Sequence, residues 1–160
     1  MEIEIVSVDY LNALHMQDLL ALLSAYALDP MGGAKALSPF VKENLGTALA
    51  CEHGAVSLLA YREARAIGLI NAFRGFSTFA CKPLLNIHDV VVLPEYRGQG
   101  IAGKMLQVLE DYALEQGCCK LTLEVLSENT SAQSSYRKFG FAAYALDPAA
   151  GHALFWEKPL

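Results

Sequence analysis

Charged and apolar residues alternate over positions 3–8, which predicts a strand. Leu11, Leu14, Leu19, Leu22, Leu23 and Tyr26 then recur at helical spacing, with Asp9 as the expected cap. Asp29-Pro30-Met31-Gly32-Gly33 reads as a turn, and Ser38-Pro39 supplies a cap and first helical position for a helix reaching about Ala48. Strand-like stretches follow at 55–61, 66–73 and 84–93, the first two joined as an antiparallel hairpin by a charged turn at 62–65. After Pro94 the period changes. Ile101, Met105, Val108, Leu109, Tyr112 and Ala113 mark one face of a helix closed by Gly117. Positions 120–126 read as a strand, 130–138 as a helix, and 141–145 and 153–157 as two last strands. No repeat, low-complexity tract or linker breaks this order. The expectation is one α/β (α+β) domain over 1–160, with a mixed sheet rather than strict β-α alternation.

Composition narrows the class. The 160 residues suit one domain with a sizeable core. Hydrophobic residues make up 54% and charged ones 18%, which excludes a disordered chain and a coiled coil. A net charge of −5 gives no electrostatic reason to expect nucleic acid or an anionic membrane as partner. No apolar run reaches the length of a membrane span, and the alternating N-terminus resembles neither a signal peptide nor a basic presequence. Cys51, Cys81, Cys118 and Cys119 form no C-x-x-C pair and no metal spacing, so they are expected as reduced thiols in a cytoplasmic protein. The oily excess implies either a core large for the length or apolar surface reserved for a ligand or for a second copy in a homodimer.

The strongest chemical signal runs from Val90-Val91-Val92-Leu93-Pro94-Glu95-Tyr96 through Arg97-Gly98-Gln99-Gly100-Ile101-Ala102-Gly103-Lys104. A buried strand enters a glycine-rich turn and then a helix, an arrangement that aims backbone N–H groups at an anion. Gly98, Gly100 and Gly103 match the dinucleotide pattern G-x-G-x-x-G, and Glu124 stands where a ribose-binding acid would belong. Too little chain follows for the remaining strands of such a domain. A nucleoside-triphosphate loop fails because Met105 stands where the magnesium-binding hydroxyl is required.

Arg97-Gly98-Gln99-Gly100-Ile101-Ala102 resembles instead the R/Q-x-x-G-x-G/A pyrophosphate loop of the GNAT superfamily of acetyl-CoA-dependent N-acetyltransferases. Asn129-Thr130-Ser131-Ala132 and Tyr136-Arg137-Lys138-Phe139-Gly140-Phe141 resemble its second signature, N-x-x-A-x-x-x-Y-x-x-x-G-F. The two motifs stand in the family's order and cover about 84–145. The resemblance implies a GNAT fold: a central mixed, mostly antiparallel twisted sheet with helices on both faces. It also implies acetyl-CoA as cosubstrate and an amine-bearing acceptor, with no metal.

Carried residue by residue, the resemblance gives Arg97, Gly98, Gln99, Gly100, Ile101 and Ala102 to the pyrophosphate. Pantetheine would pair with the backbone of Val90, Val91 and Val92, the Val92 amide facing the developing oxyanion, and Asn129 would contact the same arm. Asn129 also reads as a helix N-cap. Tyr136, two helical turns on, becomes the proton donor to the departing sulfur. Gly103 is expected to let the helix pack closely.

His88 and Asp89 begin the cofactor strand and, being adjacent, are expected on opposite faces. With Phe76-Ser77-Thr78-Phe79 this stretch resembles the diamine and polyamine branch of the superfamily, where an acid pair sits. His88 would replace the first acid as general base, since imidazole ordinarily titrates near neutrality. His15, His53 and His152 gain no role. Phe73, Phe76, Phe79, Tyr144 and Trp156 would line an acceptor pocket or complete the core, the core being the favoured reading. No cysteine lies near either motif, which favours direct amine attack in a ternary complex. A small amine, diamine or amino acid is the expected acceptor. A protein N-terminus or lysine is the alternative, and a CoA-binding sensor without catalysis lies outside the enzyme class.

Overall fold

The computed structural model describes residues 2–144, 149, 151 and 153–160. The chain forms two compact units, Met1–Leu123 and Glu124–Leu160. In the first, β1 (Glu4–Ser7), α1 (Ala13–Leu28) and α2 (Pro39–Cys51) precede β2 (Ala55–Arg62), β3 (Arg65–Ser77) and β4 (Lys82–Val92). Then come α3 (Ile101–Glu115) and β5 (Leu121–Leu123), with single 3-10 turns at Pro30–Gly32 and Pro94–Tyr96. The sheet runs β1-β2-β3-β4-β5, antiparallel throughout except for the parallel β4–β5 pair. The expected mixed, mostly antiparallel sheet is present.

Strand alternation gives this sheet two apolar faces, each covered by helix. Leu59, Leu69 and Val91 are buried on one face with Leu19 and Leu22 of α1 and Leu49 of α2. Gly68, next to Leu69, lies on the opposite face, where a Cβ would stand 2.9 Å from Met105 Cε of α3. Ile101, Met105, Leu106, Leu109 and Ala113 form the buried stripe of that helix.

Several boundaries differ from expectation. Asn12 caps α1, its Oδ1 accepting from the Leu14 and His15 amides, while Asp9 takes the Leu11 amide one turn earlier. Ser38 caps α2 as expected. β5 is shorter than its apolar run. Residues 141–144 and 153–157 carry no strand, although apolar residues dominate both; position 145 lies outside the described residues. Apolar composition alone makes no strand, which also needs a hydrogen-bonding neighbour. In the second unit, α4 (Thr130–Phe139) is capped by Asn129 and ends at Gly140 in the left-handed conformation. No described helix is long and apolar enough to cross a membrane. All four cysteines are free.

Candidate active site

The glycine turn begins where β4 ends. Arg97 is extended, and Gly98 and Gly100 adopt φ of +75° and +76°, which glycine enters without Cβ strain. Gly100 caps α3 without a side chain, and no described group accepts from the backbone N–H groups of 98–103. A Cβ at Gly98, Gly100 or Gly103 would meet nothing within 4 Å. Unsatisfied donors at a helix N-terminus, facing open space, form a cradle for an anion. Gly103 therefore does not serve helix packing, contrary to expectation; the close approach belongs to Gly68.

Arg97 shapes this cradle. Its own amide donates to Pro94 O at 3.2 Å, so the free backbone donors start at Gly98. Its Nε donates to Val92 O at 3.0 Å and its guanidinium pairs with Asp29 Oδ2 at 2.9 Å. Asp29 also accepts from the Met31 amide, and these contacts, Arg97 foremost, hold its carboxyl below the ordinary range. Gln99 braces the loop from the other side, accepting from Arg62 at 2.9 Å and donating to Glu95 O at 3.3 Å. Ile101 is buried and anchors the first turn of α3.

β4 is paired with β3 along its whole length, but β5 pairs only with Leu85, Asn86 and Ile87. Among the described residues no strand pairs with this edge of β4 beyond Ile87, which is thus open. Leu93 gives its N–H to Ile67 O of β3, so strand alternation turns the N–H groups of Val92 and Val90 toward the open edge. Val91 turns its backbone to β3 and its side chain into the core. An extended ligand arm would thus meet the backbone of Val90 and Val92, with Ala102 near the start of α3 beyond them.

His88 and Asp89 were expected on opposite faces; the structure differs. Asn71 pairs with Asp89 and Ala72 with Ile87, leaving His88 as the extra residue of a β-bulge. The His88 ring stands edge-on to Phe73 at 4.8 Å, while Asp89 Oδ2 accepts from Asn71 Nδ2 at 2.9 Å. Phe73 packs against the core shared with α1, and Asn71 stands two residues before it on β3. The bulge therefore puts His88 and Asp89 on one face. Tyr26 of α1 senses this region, its phenol raised by burial first and then by the Asp89 and Asp29 carboxylates.

In the second unit, Asn129 Oδ1 accepts from the Ala132 amide at 3.2 Å, which is the N-cap role, and leaves its Nδ2 without a described partner. Tyr136 is half-buried, its ring edge-on to Phe141 at 5.9 Å. Phe76, Phe79, Tyr144 and Trp156 are exposed rather than in the core, with Phe79 at 98%; only Phe73 packs as expected. Among the described residues no cluster of acids, histidines and cysteines could hold a metal.

The profile of the Acetyltransferase (GNAT) family matches residues 19–141, spanning the open strand edge, the glycine cradle and α4. The chain belongs to the GNAT acetyltransferase family. It is similar to streptothricin acetyltransferase of Streptomyces lavendulae, 35% identical over 58% of this chain and 53% of that protein. It is also similar to thialysine N-epsilon-acetyltransferase of Bos taurus, 43% identical over 34% of this chain and 32% of that one. The match thus spans from about a third to about half of the length of these two relatives. A solved aminoglycoside N-acetyltransferase in complex with CoA aligns with a TM-score of 0.75, covering 99% of this chain and 96% of that one at 18% identity. That likeness is one of fold.

In this GNAT chain, sequence reasoning missed the polar residues behind Asp89. Ser57 and Asn71 sit inside apolar strands, and a polar residue at an inward-facing position was the available signal.

Proposed function

We propose that this GNAT domain, read as one functional domain over 1–160, transfers an acetyl group from acetyl-CoA to a primary amine of a small molecule. The observation that carries this is the run of unsatisfied N–H groups at 98–103 beside the open edge of β4 at Val90 and Val92. The cradle suits a pyrophosphate and the edge suits an amide-bearing arm, as acetyl-CoA offers both. The named relatives acting on streptothricin and thialysine support a small amine as acceptor, and the net charge of −5 suits a cationic one.

The chemistry needs a neutral amine, because a free alkyl ammonium ordinarily has a pKa near 10.4. His88 takes the proton, and the amine nitrogen attacks the thioester carbonyl directly in a ternary complex. The Val92 N–H faces the oxygen as negative charge develops; one such donor typically lowers the barrier by about 2.7–4 kcal/mol. The C–S bond then breaks, Tyr136 protonates the departing thiolate, and the second amine proton, shed from the nitrogen as the amide forms, restores the phenol through solvent. Asn129 holds the pantetheine through its remaining amide group. A second copy of the chain is the proposed oligomeric partner, and the cytoplasm the proposed compartment.

Thiol release from acetyl-CoA, followed over a panel of alkylamines, diamines, amino acids and aminoglycosides, tests the proposal. The expected result is amine-dependent release with an acetylated product of matching mass. Tyr136→Phe should slow turnover about 10²-fold or more while leaving acetyl-CoA binding nearly intact. Release that ignores every amine refutes the transferase assignment, and an unchanged rate in Tyr136→Phe removes that residue from the chemistry.

A further inference from the structure

Ser57 and Asn71 are the buried polar residues among those described, at 3% and 4% exposure. They are cross-strand partners on β2 and β3, and Asn71 in turn faces Asp89 on β4. A single chain of hydrogen bonds joins them. Tyr10 OH donates to Ser57 Oγ at 2.9 Å, Ser57 Oγ to Asn71 Oδ1 at 2.6 Å, and Asn71 Nδ2 to Asp89 Oδ2 at 2.9 Å.

The direction of every bond follows from the far end. A carboxylate oxygen accepts, so the Asn71 amide must turn its NH2 toward Asp89 and its carbonyl toward Ser57. Ser57 must then donate, and its lone pair takes the proton of the Tyr10 phenol. Burial raises the Tyr10 phenol above its ordinary value, which keeps it a donor. Apolar side chains would fill these positions without the desolvation cost of buried polar groups. The chain thus has its use at its terminus, where Oδ2 of Asp89 is engaged and Oδ1 has no described partner.

We propose that Tyr10, Ser57 and Asn71 are positioning residues that fix the Asp89 carboxylate through one oxygen and leave the other to bind the acceptor's ammonium group. This deepens the transferase proposal and rests on it. Asp89 would hold the cationic amine beside His88 on the same bulge, and His88 would remove the proton. Ser57→Ala takes away the donor that orients Asn71. The buried Asn71 carbonyl then has no donor, and the amide, held at one end only, no longer fixes the Asp89 carboxylate.

The test is steady-state kinetics on the full chain with acetyl-CoA and the best diamine of the panel. Ser57→Ala should raise the acceptor KM by about three- to tenfold, the effect of one lost neutral hydrogen bond, while the acetyl-CoA KM stays within about twofold. Ser57→Thr, which keeps the hydroxyl, should restore the acceptor KM. Tyr10→Phe, at the half-buried outer end, should shift it in the same direction by less and carries the test should Ser57→Ala fail to fold. An active wild type whose variants leave the acceptor KM unchanged, or change both KM values equally, overturns the positioning role alone. A wild type inert toward every amine overturns the transferase proposal and this one with it.

Discussion

The seam between α3 and the sheet offers a perturbation whose size can be worked from distances. At Gly68 a Cβ would stand 2.9 Å from Met105 Cε, 3.2 Å from Met105 Sδ and 3.2 Å from Val91 O. The methionine terminus can yield, but the Val91 carbonyl belongs to β4 and can move only with the strand. Gly68→Ala therefore overpacks the seam, at a cost of about 1–3 kcal/mol. Reduced freedom of the unfolded chain returns about 0.4–1 kcal/mol. The net destabilisation is about 1 kcal/mol, or about 2–4 °C in Tm for a chain of this size. Thermal and urea unfolding measure it. Met105→Leu shortens the opposing side chain, so the double variant should be more stable than the two single effects predict, with a coupling above about 0.5 kcal/mol. Because β4 is displaced, the acetyl-CoA KM should rise in Gly68→Ala and partly recover in the double variant. A raised Tm in Gly68→Ala, or strict additivity with Met105→Leu, would refute the packing described for this seam.

The other expectations concern the turn. Gly103 lies in the first turn of α3 with open space over it, so Gly103→Ala should stabilise the unliganded protein by up to about 1 kcal/mol of helix propensity and raise its Tm; a lowered Tm would reveal packing that the structure does not contain. Gly100→Ala forces a side chain into φ of +76°, costing about 1–2 kcal/mol, and should weaken acetyl-CoA binding together with Tm. An unchanged KM for acetyl-CoA would separate the turn from the ligand. Asp29 is held below the ordinary carboxylate range, principally by Arg97 and then by the Met31 amide. A depressed folded-state pKa adds stability above the unfolded value and loses it as pH falls through the folded one. Below about pH 4 the wild type should thus lose its margin over Asp29→Asn. Urea midpoints at pH 7, 5 and 3 report this, and parallel pH curves for the two proteins would contradict it.

What the sequence made legible follows from how local each cause is. The loop at 97–102 was readable because glycines at left-handed positions and a 3.6-residue apolar stripe in α3 are encoded within a few residues of each other. Ser38 and Asn129 were readable as caps for the same reason. Asn12 was overlooked because Asp9 is an equally good capping type, and only the chain's path assigns each amide. The shared face of His88 and Asp89 was hidden, since a bulge appears only when β4 is set against β3. The packing role expected of Gly103 falls to Gly68 for a similar reason: a close approach is a property of two elements. The Tyr10–Ser57–Asn71–Asp89 chain crosses the start of the fold and three strands, so no local pattern could announce it.

The central claim is that the cradle at 98–103 and the open edge of β4 are built for acetyl-CoA. Thermal unfolding of the full chain with acetyl-CoA, CoA, NAD and ATP, each in separate samples, tests it most directly. At a ligand concentration of about 100 Kd, binding to the folded state adds about 2.7 kcal/mol, which for this chain raises Tm by about 5–10 °C. The rise is expected with acetyl-CoA and CoA and not with NAD or ATP. Stabilisation by NAD, with none from acetyl-CoA or CoA, would contradict it.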